Sequence, residues 1–178
     1  MKKNVIICGL IAGPISISGF FVMSSSMNFE NGMIYGYASM LLAFSLIFVG
    51  IKNYRDKYNN GYVSFGKAFR IGLYISLIAS TIYVGTWLIN YFYFMPDFMD
   101  KYAAHVIERM KTSGATDAAI AEKTKEMADF KVLYQNPFIN AAVTYMEILP
   151  IGLLISLIAA AILKRKNPQM QMVDVVDA

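Results

Sequence analysis

The sequence is poor in reactive side chains. It holds one cysteine, one histidine and one tryptophan in 178 residues. One cysteine, Cys8, cannot close an internal disulfide, so the fold does not depend on an oxidising compartment. His105 has no second histidine or cysteine cluster to join. Metal sites usually need three or four ligands, so no metal is expected and His105 reads as a surface residue. Gly-rich phosphate loops, nucleophile elbows and HExxH patterns are missing too. With no nucleophile–base pair and no cofactor motif, the expectation is a protein that is not an enzyme and carries no cofactor. Charge is also scarce, at 16% of residues, with 16 basic against 12 acidic side chains. The basic groups sit beside apolar stretches, so membrane orientation explains them better than nucleic acid does.

Apolar residues are abundant, at 57% of the chain. They gather in runs at about 5–27, 33–51, 71–94 and 138–163. Each reaches or nearly reaches the roughly 20 residues that cross a bilayer core, and helices apolar all the way round for so long are rare in water. The expected fold is all-α: a four-span transmembrane bundle with an extracytoplasmic αα-hairpin at 96–135. The first run is longer than a cleavable signal core and reads as a retained span. Lys2 and Lys3, the group Lys52, Arg55, Lys57, Lys67 and Arg70, and Lys164 to Lys166 fall on one side if the chain crosses four times. The positive-inside rule then puts both termini and the 52–70 loop in the cytoplasm of a multi-pass inner-membrane protein. The bilayer is its first partner.

Between and within the spans, local signals are clear. Gly13-Pro14 predicts a bend in span one, and Gly9 with Gly13 forms a pair that permits close helix approach. Asn59-Asn60-Gly61 marks a turn, and Ser64 is placed to cap the helix entering span three. Pro96 can start a helix on which Phe98, Tyr102, Val106 and Met110 recur every four residues, with Met99, Ala103 and Ile107 beside them. Thr112-Ser113-Gly114 ends it. A second outer helix is expected from about Thr116 to Tyr134, with Ile120, Met127, Phe130 and Tyr134 on one side and Lys125 to Asp129 as an i,i+4 pair. Asn136-Pro137 marks the entry to span four. The tail, 167–178, is expected to be disordered and cytoplasmic.

Spans three and four share a decad. Ile71-Gly72-Leu73-Tyr74-Ile75-Ser76-Leu77-Ile78-Ala79-Ser80 matches the ten residues from Ile151 to Ala160 at eight of ten positions. Counted from Arg70 and Lys164, Ser76 and Ser156 lie at depths differing by about 3 Å. Gly72, Ser76 and Ser80 share one helical face, as do Gly152, Ser156 and Ala160. Such small-residue faces allow close contact, either with each other or with a second copy.

Glu147 is the ionisable side chain well inside a span. It lies 17 residues before Lys164, about 25 Å from the cytoplasmic edge of a core about 30 Å thick. A carboxyl at that depth is costly and marks a candidate site. Pro150 leaves the Met146 carbonyl without its helical donor one turn away. Tyr35 and Trp87 fall at similar depth, with Asn90 and Asn140 somewhat further out. The candidate intramembrane polar site is therefore Glu147, Pro150, Tyr35, Asn90 and Asn140. Either it serves proton or cation handling, or Glu147 bonds across helices.

The run Val63 to Phe69, the pair Asn136-Pro137, and Glu147 to Leu157 followed by Lys164-Arg165-Lys166 resemble the bacterial membrane family catalogued as domain of unknown function 4199. The resemblance covers roughly residues 1–166. It implies a four-helix integral membrane protein and brings no activity or site residue. The expectation from the residues is an inner-membrane protein acting through assembly with itself or a membrane partner. The alternative is a small proton- or cation-linked transporter or channel component using Glu147 in a homo-oligomer.

Overall fold

The computed structural model describes residues 1–26 and 29–165; the tail expected to be disordered, 167–178, lies outside them. The elements are α1 (Lys2–Ser26), α2 (Phe29–Tyr58), α3 (Phe65–Ile89) continued by a π-helical turn (Asn90–Phe94), α4 (Phe98–Thr112), α5 (Asp117–Tyr134) and α6 (Pro137–Leu163). No strand occurs among the described residues; the one β-type contact is an antiparallel bridge between Val63 and Arg165. Four segments are long and apolar enough to cross a membrane: Lys2–Phe21, Ile34–Tyr58, Phe65–Phe94 and Pro137–Leu163. A helix is what such sequences must form in lipid, because each backbone N–H and C=O has to find its partner within the segment.

Local chemistry sets the boundaries. Ser64 caps α3, its hydroxyl accepting from the Lys67 amide at 3.4 Å. Thr116 caps α5 in the same way through Ala119. Asn136 caps α6 by accepting from the Phe138 amide at 2.9 Å, with Pro137 in the first turn, where its missing N–H costs nothing. The turn before α3 uses left-handed backbone at Asn60 (φ 50°) and Gly61 (φ 84°), which glycine and asparagine tolerate best. Pro96 sits in the turn before α4 rather than in its first helical position. The i,i+4 pair expected at Lys125 and Asp129 is replaced by Lys123 with Glu126, one turn earlier on α5.

The spans pack α1 against α2 and α3, and α6 against α3 and α2, leaving α1 and α6 at opposite corners. Met40, Phe44, Ile47 and Ile51 of α2 repeat at helical spacing and are buried at the centre, with Ile71, Ile75 and Ala79 of α3 facing them. The outward faces are equally apolar: Leu10, Leu41, Leu42, Leu154 and Ile162 are all more than half exposed. A water-soluble protein would not leave such a belt uncovered, whereas acyl chains cover it at no cost. Burial of apolar area therefore cannot hold these helices together, since lipid is as apolar as leucine. Close contact and interhelical hydrogen bonds must do so.

Small residues provide that contact. A Cβ added to Gly9 would lie 2.7 Å from the Ile78 side chain, and one at Gly13 would lie 2.7 Å from Ile82. The glycine pair in α1 thus seats two α3 isoleucines. The decads of α3 and α6 meet reciprocally. A Cβ on Gly72 would lie 2.7 Å from the Ser156 hydroxyl, and one on Gly152 would lie 2.8 Å from the Ser76 side chain. The two buried hydroxyls stand 3.2 Å apart, where either can donate to the other, and each also lies within bonding distance of the glycine carbonyl one turn back on its own helix, Ser76 of Gly72 at 3.0 Å and Ser156 of Gly152 at 2.7 Å. Both faces are thereby used within one chain. The antiparallel register carries Ala160 to the level of Ala68, and both are fully buried. It carries Ser80 to the level of Ile148, and the buried Ser80 hydroxyl has no hydrogen-bond partner.

Candidate functional site

At the end of the bundle away from Arg165, α4 and α5 lie over the mouth of the four long helices and roof a cavity of about 580 Å³. Met99 of α4 and Met127 of α5 are buried beneath the pair, and Lys131 binds Asp100 to join the two helices. Periodicity explains the arrangement: Phe98, Tyr102, Val106 and Met110, the four-residue repeat of α4, all line the cavity. The α3 backbone loosens just below, where the Met95 amide reaches the Asn90 carbonyl at 2.8 Å in a π-turn before the chain enters the roof.

The walls are aromatic. Phe20 of α1 meets Trp87 of α3 edge to face, with ring centroids 4.8 Å apart, and Phe98 meets the other side of Trp87 at 5.0 Å. Tyr134 packs edge to face on Tyr91 at 5.3 Å. The Trp87 indole N–H points into a buried polar knot, donating to Asn140 Oδ1 at 2.9 Å and to the Tyr134 hydroxyl at 3.2 Å. Asn140 Nδ2 donates to the Tyr134 carbonyl at 3.3 Å, and the Thr144 hydroxyl donates to the Asn140 carbonyl at 2.8 Å. Asn140 is fully buried, and its amide couples α3, α5 and α6. Burial pushes the Tyr134 phenol up from its ordinary range, against the smaller pull of its Thr144 and Trp87 hydrogen bonds.

Glu147 lies on α6, seven residues after Asn140, and lines the same cavity. Its carboxyl has no hydrogen bond and no ion pair among the described residues. On the roof, Arg109 of α4 also lines the cavity and likewise makes no ion pair among the described residues. His105, one turn before Arg109, is half-buried and lines the cavity as well. The composition that argued against a metal gave no reason to place it there. Both Glu147 and Arg109 are exposed rather than buried, so they meet whatever occupies the cavity.

The other residues expected at this depth divide. Asn140 joins the site through Trp87 and Tyr134. Asn90 turns its amide to the Thr86 carbonyl of its own helix at 2.8 Å and stays outside. Tyr35 does not line the cavity, whereas Gly36 and Tyr37 do; both tyrosines are about half exposed. Pro150 is exposed on α6 and does not line it. Tyr83, Thr144 and Tyr134 are the contributors that depth and charge did not single out.

One family matches the chain, described as a protein of unknown function (DUF4199), over residues 7–165. No curated protein and no solved structure matches it.

Proposed function

The chain belongs to the DUF4199 family, whose description assigns no activity, and we propose from its own geometry that it is a non-enzymatic integral membrane protein binding a small amphipathic ligand in the cavity beneath α4 and α5. One observation carries this reading: Glu147 faces that cavity from a membrane-length helix, without a hydrogen bond or ion pair among the described residues. A carboxyl at membrane depth is expensive and persists where something answers it. A bond across helices would have answered it, and no such bond is present among the described residues. Glu147 stands exposed in the cavity, where a ligand would answer it. The volume, about 580 Å³, falls in the range of small-molecule sites, and the mixture of aromatic wall with few polar groups is typical of them.

The small-residue faces that favoured assembly are used between α3 and α6, so contact with a second copy or a membrane partner would require other surfaces. Cation-linked transport, the other reading of Glu147, begins with the same binding step. In this reading the protein sits in the inner membrane with both termini and the 52–70 loop cytoplasmic, so that α4 and α5 lie outside. The clustering of basic residues at the opposite end supports that orientation.

Trp87 is the chain's one tryptophan and lines the cavity, so its emission reports directly on occupancy. Short-chain amphiphiles added to the protein in detergent should change that emission saturably. Gly36 lines the cavity and has nothing within 4 Å of an added Cβ, so Gly36→Phe should fill the space, keep the helical circular dichroism and abolish the response. A Trp87 signal that stays flat with every headgroup refutes the proposal.

A further inference from the structure

Resting on that cavity, we infer that its ligand is a zwitterion, with an ammonium group for Glu147 and an oxyanion for Arg109. The argument starts from two charges of opposite sign that line one space and do not pair with each other. Glu147 is held on α6 and Arg109 on α4. They line the cavity from two different helices and make no ion pair with each other. A ligand carrying both charges in reverse order answers both at once. A simple cation would engage Glu147 alone, and a simple anion Arg109 alone.

The surrounding groups sharpen the assignment. Phe20, Tyr83 and Trp87 line the cavity together with Glu147, and aromatic rings with a carboxylate are what attract an ammonium ion. Arginine's planar fork matches phosphate and carboxylate oxygens. The remaining wall, with Met40, Val106 and Met110, is apolar and suits an alkyl or acyl portion. The shared chemistry is that of phosphoethanolamine. It can arrive as the headgroup of a bilayer aminophospholipid or as a free zwitterion.

The test follows Trp87 emission of the full chain in a maltoside detergent. Four probes are titrated: dihexanoyl phosphatidylethanolamine, dihexanoyl phosphatidylglycerol, uncharged dihexanoylglycerol and free phosphoethanolamine. The zwitterionic lipid should saturate at about tenfold lower concentration than the anionic or neutral one, the factor expected for a charge-assisted hydrogen bond. Glu147→Gln and Arg109→Gln should each erase that preference. Arg109 is exposed on α4, so its variant keeps the test valid if Glu147→Gln fails to fold. Phosphoethanolamine binding as tightly as the lipid identifies a free ligand; much weaker binding identifies the bilayer lipid. Equal binding of all three lipids, or a preference that survives both substitutions, overturns the zwitterion while the cavity reading stands on its Gly36→Phe control. If no probe moves the emission, both fall together.

Discussion

Ser76 and Ser156 face each other hydroxyl to hydroxyl at 3.2 Å, each lying where the other helix has glycine in place of a side chain. This reciprocal step, Gly72 under Ser156 and Gly152 under Ser76, locks α3 to α6 at one height. It also explains why the two decads look alike. In an antiparallel pair, a glycine–serine spacing of four on one helix is answered by the same spacing on the other.

Filling the step should break it. Gly72→Leu and Gly152→Leu place carbon where serine atoms already stand, and each is expected to cost about 1–3 kcal/mol, as overpacking generally does. Ser76→Ala should cost about 0.6 kcal/mol, the usual worth of a hydrogen bond between membrane helices. Ser80→Ala, which removes a buried hydroxyl with no partner, should be neutral or stabilising. Thermal unfolding in detergent ranks the four; a Ser80→Ala variant weaker than Ser76→Ala contradicts the assignment.

Asn140 should be the most sensitive polar residue near the cavity. Asn140→Ala takes an acceptor from the Trp87 indole and a donor from the Tyr134 carbonyl, both buried. The indole keeps only its 3.2 Å bond to the Tyr134 hydroxyl, and leaving the Tyr134 carbonyl without this donor costs about 1–3 kcal/mol. The loss should appear as a lowered melting temperature with a shifted Trp87 emission maximum. An unchanged spectrum would show that the indole does not depend on this amide.

Glu147→Gln should fold as well as the parent chain or better, because no hydrogen bond or ion pair among the described residues is lost with the charge. If the carboxyl instead bonds across helices, the variant will melt markedly lower. Circular dichroism against temperature separates the two outcomes.

Alkaline pH should loosen the roof through Tyr134. Burial raises its phenol above the ordinary value of 10.0, so the folded state holds the proton that the unfolded chain releases. This contribution is complete below pH 10.0 and is lost as pH rises through the folded value. Tyr134→Phe should flatten the corresponding part of the stability–pH curve above pH 10. Identical slopes in the two proteins would exclude this residue as the cause.

Much of this arrangement is legible in the sequence, and the reasons are physical. Four spans follow from length and apolarity alone, because a bilayer leaves a long apolar helix little choice. Small residues at i, i+4 and i+8 mark faces for close helix contact in α3 and α6, but not whether the partner is the other span or a second copy. The four-residue repeat of α4 marks the face that covers the cavity. Counting residues from a charged boundary gives height but not azimuth. Tyr35 and Tyr37 differ by two positions, or about 200° around the helix, and the residue picked by height misses the cavity while Tyr37 lines it. The same gap hides Arg109 and His105. Their helix is amphipathic in plain sight, but nothing in a linear pattern tells how it folds back over α6.

The bridge between Val63 and Arg165 closes the opposite end of the molecule. Two backbone bonds, Val63 to Arg165 at 3.2 Å and the return at 2.8 Å, tie the entry of α3 to the exit of α6, and the Arg55 guanidinium adds a contact to the Leu163 carbonyl at 3.4 Å. The pair behaves as tongs with a riveted pivot. With α3 25 residues long, about 38 Å, a few degrees of splay at the rivet would shift the cavity end by ångströms while the bridged end stays closed.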